Sequence, residues 1–417
     1  MSLLGGYRIL DLSDERGLLA GRMLADLGAD VVQVEPPGGS TAREATPQSD
    51  AGSYFWDTFA ANKRGIVADL ATLDGRHLVR RLTLRADFLI ESAGPCVLTG
   101  LGLGWPQLRE VNPALVYGTV TAFGHDGPKS GYAESDLIVW AAGGPLQPNR
   151  DEDRPPLRMS VEHAFLNAAA DLAGGMLIAH HARARTGRGQ LVDVSAQASL
   201  GLNTLGRVLA DSVRDPRPEW AIVSPTKRTD QSGSGSGTSS HLKKWPCRDG
   251  LVEFHLAMGT AVGGFTNNFF RWLHDEGACS DRVAAWDWRV MPKLVEAGEF
   301  TEGDMTEVRA ATADFLAART KAEILDAAIR YKLLCIGISD TADLAASAQL
   351  AARGYFAAVG EGPRRRTMPA RWATGSIEPV ELRRPAPLVG EHTAEVLADW
   401  LGDDRALSAA GSGEELG

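Results

Sequence analysis

The chain has 417 residues, with 43 Lys plus Arg against 53 Asp plus Glu and a formal net charge of −10. That length accommodates two domains with sizeable cores, and the acidic balance excludes a broad basic face for nucleic acid. Cys96, Cys247, Cys279 and Cys335 form no C-x-x-C pair, and no apolar run reaches membrane-spanning length. A disulfide framework, a metal site and a membrane partner are therefore not expected, and a cytoplasmic protein is.

From the first residues to about Tyr117, apolar runs alternate with helical patterns, as in Tyr7–Leu12, Val31–Val34, Phe88–Ile90 and Leu115–Val120. Such alternation predicts an α/β fold with a parallel sheet covered by helices. The first turn, Ser13-Asp14-Glu15-Arg16-Gly17, lacks G-x-G-x-x-G, so a dinucleotide site is not expected. Phe165–Arg185 is dense in Ala and Gly and reads as a closely packed helix. It ends at Thr186-Gly187-Arg188-Gly189-Gln190, where Gly187 and Gly189 suit a left-handed helix stop. A strand with alternating Val192 and Val194 follows, then a second helical pattern over Ser195–Val208.

Residues 230–240 are a glycine–serine run and read as a mobile connector or lid. Leu251–Leu256 reads as a strand, and helical patterns fill Thr260 to about Tyr331. Ala346–Leu350 and Glu391–Leu401 are the last helical segments. The expected division is a large domain over 1–210, a linker over 211–240, a small α+β domain over 241–335, and a return to the large domain over 336–417.

Several segments stand in a telling order: Ile9-Leu10-Asp11-Leu12-Ser13, Leu24–Gly39, Asn62-Lys63-Arg64-Gly65, Ala86–Glu91, Asn112–Tyr117, Phe123-Gly124-His125-Asp126-Gly127-Pro128 and Ala386–Thr393. Together with Thr186–Gln190 they resemble the class III CoA-transferase family, which includes formyl-CoA transferase, carnitine CoA-transferase and α-methylacyl-CoA racemase. The resemblance implies an interlocked dimer, with coenzyme A or an acyl-CoA as substrate. It also implies a reaction in which an aspartate attacks the thioester, passes through an anhydride and an aspartyl-CoA thioester, and hands CoA to a free carboxylate.

Aligned back from Thr186, Gly175 falls on the family's helix glycine, and Pro156 and Arg158 fall on its Pro-x-Arg approach. The nucleophile position, about six helical turns before the glycine corner, is then Phe165. A phenyl ring cannot attack a thioester. Glu162, three residues away, is expected on roughly the same helix face and is one fallback acid. Asp136 is the other, matching a carboxylate near the active site in relatives; it could equally cap the helix that follows it. For CoA, the resemblance points to Arg43, Lys63 and Arg64 as phosphate partners, to Ala68-Asp69-Leu70-Ala71 along the adenine, and to Glu91 and Ser92. Pro36-Pro37 and Gly100 stand where relatives often carry basic residues.

The Glu162-His163-Ala164-Phe165-Leu166-Asn167 pattern resembles the branch holding one subunit of succinyl-CoA:benzylsuccinate CoA-transferase, whose partner keeps the aspartate. Three readings follow. The first is a nucleophile-lacking subunit paired with a homologous, aspartate-bearing subunit. The second is an active homodimeric transferase or racemase using another acid, with His125 and Asp126 as racemase candidates. The third is a non-enzymatic acyl-CoA-binding or assembly protein.

Overall fold

The computed structural model describes residues 2–50, 52–146, 155–202, 243–376 and 380–402. The glycine–serine run, the linker and the second half of the helical pattern after Ser195 lie outside them. Two compact units are present, one built from both ends of the chain and one from its middle, over 225–348.

The first unit carries a six-stranded, all-parallel sheet. Its strands are β1 (Arg8–Asp11), β2 (Asp30–Glu35), β5 (Arg64–Val67), β6 (Phe88–Glu91), β7 (Val116–Thr121) and β8 (Leu191–Ser195). They lie in the order β5-β2-β1-β6-β7-β8. A small hairpin, β3 (Gln48–Ser49) and β4 (Gly52–Ser53), falls between β2 and β5 in the chain. β1, β2, β6 and β7 are almost wholly buried because both faces are covered, whereas β8 at the edge is partly exposed. On one face, α1 (Leu18–Asp26) and a 23-residue helix pack onto Ile9, Val31, Phe88, Ile90 and Val120. On the other, Leu10, Val32, Leu89 and Tyr117 meet Val79, Leu82, Leu108 and the returning Val396 and Trp400. β5 was not legible as a strand: it is four residues long, opens on Arg64-Gly65, and is an edge.

The intervening helices are α2 (Tyr54–Phe59), α3 (Leu73–Thr83), α4 (Val97–Gly100), α5 (Trp105–Val111) and α6 (Asp136–Gly143). The long helix is α7 (Ala164–Thr186), and α8 (Ala196–Leu202) comes directly after β8. Small residues let α7 lie close to the sheet. A Cβ on Gly175 would stand 2.9 Å from Val192 Cγ1, and one on Gly118 would stand 2.6 Å from Met176 Sδ. Gly187 ends α7 at φ +70°, its N–H donating to the Arg183 carbonyl. Gly189 does not take that conformation. It is needed because a Cβ there would lie 1.8 Å from the Leu115 carbonyl oxygen.

The second unit holds a three-stranded antiparallel sheet built from Lys244–Cys247 (β9), Gly250–Phe254 (β10) and Cys335–Ile338 (β11), with β10 in the middle. Trp245, Phe254, Phe269, Phe270, Trp272, Trp288 and Phe315 form its core with Gly263–Asp275, Glu302–Ala317 and Lys321–Tyr331. Back in the first unit, β12 (Phe356–Val359) and β13 (Arg366–Pro369) form an antiparallel pair. The chain then passes over β5: a Cβ on Gly65 would meet Pro387 at 2.9 Å, and the Trp400 indole donates to Asp30 at 2.8 Å. Among the described residues no helix is long and apolar enough to cross a membrane.

Candidate functional site

In open parallel sheets the crevice for ligands lies outside the carboxyl ends of the strands, where successive connections run in opposite directions. Here that point falls between β1 and β6. The two loops leaving it are tied together. Asp14 N donates to Ser92 Oγ at 3.0 Å, and Ser92 Oγ donates to Asp14 Oδ1 at 2.8 Å. Arg16 turns back on Asp14, Nε lying 2.9 Å from Oδ1, and also pairs with Glu134. Glu134 in turn accepts from Ala122 N at the end of β7.

Beside this lies a second cluster. Glu91, the last residue of β6, is buried; its Oε2 accepts from Ala93 N at 2.7 Å. Its Oε1 has no hydrogen-bond partner and faces His125 Nε2 at 3.4 Å. The same nitrogen lies 2.9 Å from Thr119 Oγ1, and His125 N donates to Asp193 Oδ2 at 2.9 Å. The Glu91 carboxylate, at ion-pair distance, raises the His125 pKa against the opposing effect of burial, and Asp193 and Asp126 add to the rise. The edge thus gathers Asp14, Glu91, Asp126, Glu134 and Asp193 against Arg16 and a readily protonated His125. Chemically it can hold and move a proton; it offers little to a chain of phosphates.

The three basic residues expected to meet phosphates are each engaged by carboxylates of the fold. Lys63 is fully buried, and its ammonium donates to Asp11 Oδ2 at 2.7 Å, the Leu18 carbonyl at 2.9 Å and Gln33 Oε1 at 3.0 Å. All three protons are spent inside the fold. Burial pulls its pKa down, and Asp11 pulls it back. Arg64 is also buried, held by Asp30, Glu395 and Asp399, and ties β5 to the returning chain. Arg43 forms a two-pronged pair with Glu35, at 2.6 and 2.7 Å, and lies over the Trp56 ring. Ala68, Asp69, Leu70 and Ala71 follow β5 as a turn, with Asp69 Oδ1 accepting from Ala71 N. Pro36 and Pro37 are exposed, and a Cβ at Gly100 would meet nothing within 4 Å.

Phe165 is the second residue of α7, half-buried against the α7 core. Glu162 stands ahead of the helix, exposed and paired with Arg158. The shared helix face expected from its spacing does not arise, because α7 begins at Ala164. Asp136 is the carboxylate that reaches this point. It opens α6, where Ser135 is the cap, and its Oδ1 accepts from Ala164 N at 2.8 Å, satisfying an orphan donor of α7. Its Oδ2 is buried without a hydrogen bond, 3.6 Å from Arg158. His163 precedes α7 against the Trp140 ring. His180, late in α7, packs on Tyr7 and Phe88 with its Nδ1 2.8 Å from Arg183 Nη2, and burial lowers its pKa.

Sequence reasoning passed over Asp14, Arg16, Glu134 and Asp193. Asp14 and Arg16 were visible as charged residues directly after the first strand. Their partner Glu134 lies more than a hundred positions away and carries no local signal.

The sequence pattern described as CoA-transferase family III matches residues 4–393. The BbsE subunit of succinyl-CoA:(R)-benzylsuccinate CoA-transferase from Thauera aromatica is 31% identical over 405 residues, covering 94% of this chain and 93% of that one. Formyl-CoA:oxalate CoA-transferase of Streptomyces avermitilis is 27% identical, covering 96% and 95%. Succinyl-CoA--D-citramalate CoA-transferase of Chloroflexus aurantiacus is 39% identical over 46% of this chain and 48% of its own. A CAIB/BAIF family protein from Brucella suis has the same fold, with a TM-score of 0.76 at 23% identity over 96% of this chain and 99% of that chain.

Proposed function

This chain belongs to CoA-transferase family III, and we propose that it is the nucleophile-lacking subunit of a heteromeric, cytoplasmic enzyme. Its partner would be a homologous chain carrying the catalytic aspartate, interlocked with it. The observation that carries this reading is Phe165 at the first turn of α7, with both nearby acids committed: Glu162 outside the helix on Arg158, and Asp136 on the Ala164 N–H. The 31% likeness to a named subunit rather than a whole enzyme supports it. The chemistry is CoA transfer between an acyl-CoA such as succinyl-CoA and an organic carboxylate such as benzylsuccinate. The names of two of these relatives contain succinyl-CoA, which favours a dicarboxylate. In this reading α7, the β1–β6 edge and the residues around Glu91 and Ser92 shape and support the shared site, while the partner's aspartate forms the covalent intermediates.

The test is co-expression with an aspartate-bearing homologue. The isolated chain should transfer no CoA, and the pair should. Intact-mass analysis after incubation with succinyl-CoA should put the acyl or CoA-thioester adduct on the partner alone. Turnover by the isolated chain, or an adduct on it, overturns the reading. One observation favours an alternative: Asp136 presents a buried, unbonded Oδ2 at the start of α7. An active enzyme using it would carry the adduct on Asp136.

A further inference from the structure

α7 is covered by the sheet on one side and open on the other. Asp171, Gly174, Ile178, His181 and Arg185 are exposed, and with the half-buried Ala182 they form a single stripe along the helix, spaced three or four residues apart. Ile178, at the middle of that stripe, is 72% exposed. Burying such an aliphatic side chain is favourable.

The packing of one chain does not account for Gly174. Glycine is the poorest helix residue after proline, and this one stands near the middle of a 23-residue helix. Its neighbour Gly175 is required, because a Cβ there would meet Val192; a Cβ on Gly174 would meet nothing within 4 Å. A stretch of helix without a side chain is what lets a second helix come close.

The charges of the stripe are unspent too. Among the described residues, neither the Asp171 nor the Arg185 side chain has an ion pair or a hydrogen bond. They are fourteen residues apart, about 21 Å along the helix, so they do not reach each other. Each stands seven residues from Ile178, one on either side, and Gly174 and Ala182 stand four residues before and after it. A two-fold axis at Ile178 therefore makes the stripe its own complement. Laid antiparallel on a second copy, it sets Asp171 against Arg185, Gly174 against Ala182 and Ile178 against itself. A parallel pairing would set like charges on each other, and opposed helix dipoles also favour the antiparallel order.

We propose that two copies of this chain pair through α7, antiparallel about a two-fold axis at Ile178, with Asp171 of each copy meeting Arg185 of the other. The inference rests on the outer face of α7 and does not depend on which catalytic reading holds.

The full chain carrying Ile178→Cys, without any other subunit, tests it. Mild oxidation should join two chains through position 178, located by peptide mapping apart from any bridge through the exposed Cys96. In that background Asp171→Arg and Arg185→Asp should each slow the cross-link by about tenfold or more, because each sets like charges across both ends of the contact. Co-expressing the two variants restores opposite charges at both ends, and the cross-link should return in the mixed pair. Asp326→Arg, exposed in the other unit, should leave the rate unchanged. Should a variant fail to fold, hydroxyl-radical footprinting of the unaltered chain decides instead: Ile178 should be protected, and Ile329, also 72% exposed, should be labelled. No bridge at position 178, a bridge from 178 to another position, a rate indifferent to both charge changes, or an unprotected Ile178 overturns the proposal. So does a contact at 178 that forms only with a co-expressed homologue carrying the catalytic aspartate. Absence of CoA transfer by that pair would instead bear on the proposed function alone.

Discussion

Asp11 and Glu91 end the adjacent, hydrogen-bonded strands β1 and β6, both fully or almost fully buried, yet their surroundings differ in kind. Asp11 is saturated: Oδ1 accepts from Ser13 N at 3.0 Å and from Ser13 Oγ at 2.6 Å, and Oδ2 accepts from Lys63. Gln33 completes the network by donating to the Ser13 carbonyl. Even space is spent, since a Cβ on Gly21 would stand 2.0 Å from Asp11 Oδ2. Glu91 has one backbone bond and one oxygen without a partner, turned to an imidazole. A satisfied buried charge network specifies a fold. A buried carboxylate with capacity left, beside an imidazole whose pKa it raises, is where chemistry or binding is to be sought.

The sharpest way to break this comparison is Lys63→Met. Removing one partner of a fully buried ion pair leaves the other charge uncompensated and costs about 3–5 kcal/mol. Urea unfolding should show that loss through a lower midpoint at unchanged slope. A cost under about 1 kcal/mol would mean that the Asp11 network is not what holds the β1–α1 corner.

Next in size is Phe165→Asp, which asks whether a carboxylate can be installed where no partner awaits it. Loss of the half-buried ring and partial burial of a charge should cost roughly 2 kcal/mol. The new carboxylate would sit among Ala164, Leu166 and Ala168, an apolar setting that raises its pKa and lowers its nucleophilic fraction. No acyl or CoA adduct is expected by intact-mass spectrometry after exposure to succinyl-CoA. A stoichiometric adduct would show that the pocket of this chain is still competent.

Family, parallel sheet and the long small-residue helix were legible because they rest on local pattern: runs such as Val31–Val34, and Ala and Gly density from Phe165 onward. What escaped depends on contacts between distant positions. Lys63 was expected as a phosphate partner, and nothing local tells that Asp11 and Gln33 converge on it. Conversely, Glu91 was singled out by motif alone, without the His125 and Asp193 neighbours that give it meaning. The short strands β12 and β13 were invisible for the same reason.

Glu91→Gln is predicted to be milder than Lys63→Met, about 1 kcal/mol or less, because only one hydrogen bond to Oε2 is at stake and an amide oxygen can keep it. Nearly equal costs in the two variants would erase the distinction between a saturated and an unsaturated carboxylate.

The smallest effect is the most informative about the site, and it is read by titration. His125 has its pKa raised by Glu91 first, with Asp193 and Asp126 assisting. In the unfolded chain it titrates near about 6.5. A group whose folded pKa is raised contributes stability that is complete below the unfolded value and is lost as pH rises through the folded value. The native protein should therefore owe part of its stability at pH 6 to the His125–Glu91 pair and lose that part by pH 8.5. In the Glu91→Gln variant the pair is neutral on one side, so the His125 pKa should fall toward the unfolded value and the difference between the two pH values should shrink. Proton NMR of the His125 ring across pH 5 to 9 reads the pKa directly, and urea unfolding at pH 6 and 8.5 reads the linked stability. A His125 pKa unmoved by Glu91→Gln would mean that Asp193 and Asp126 set its charge, and that the unpartnered oxygen of Glu91 serves something other than this imidazole.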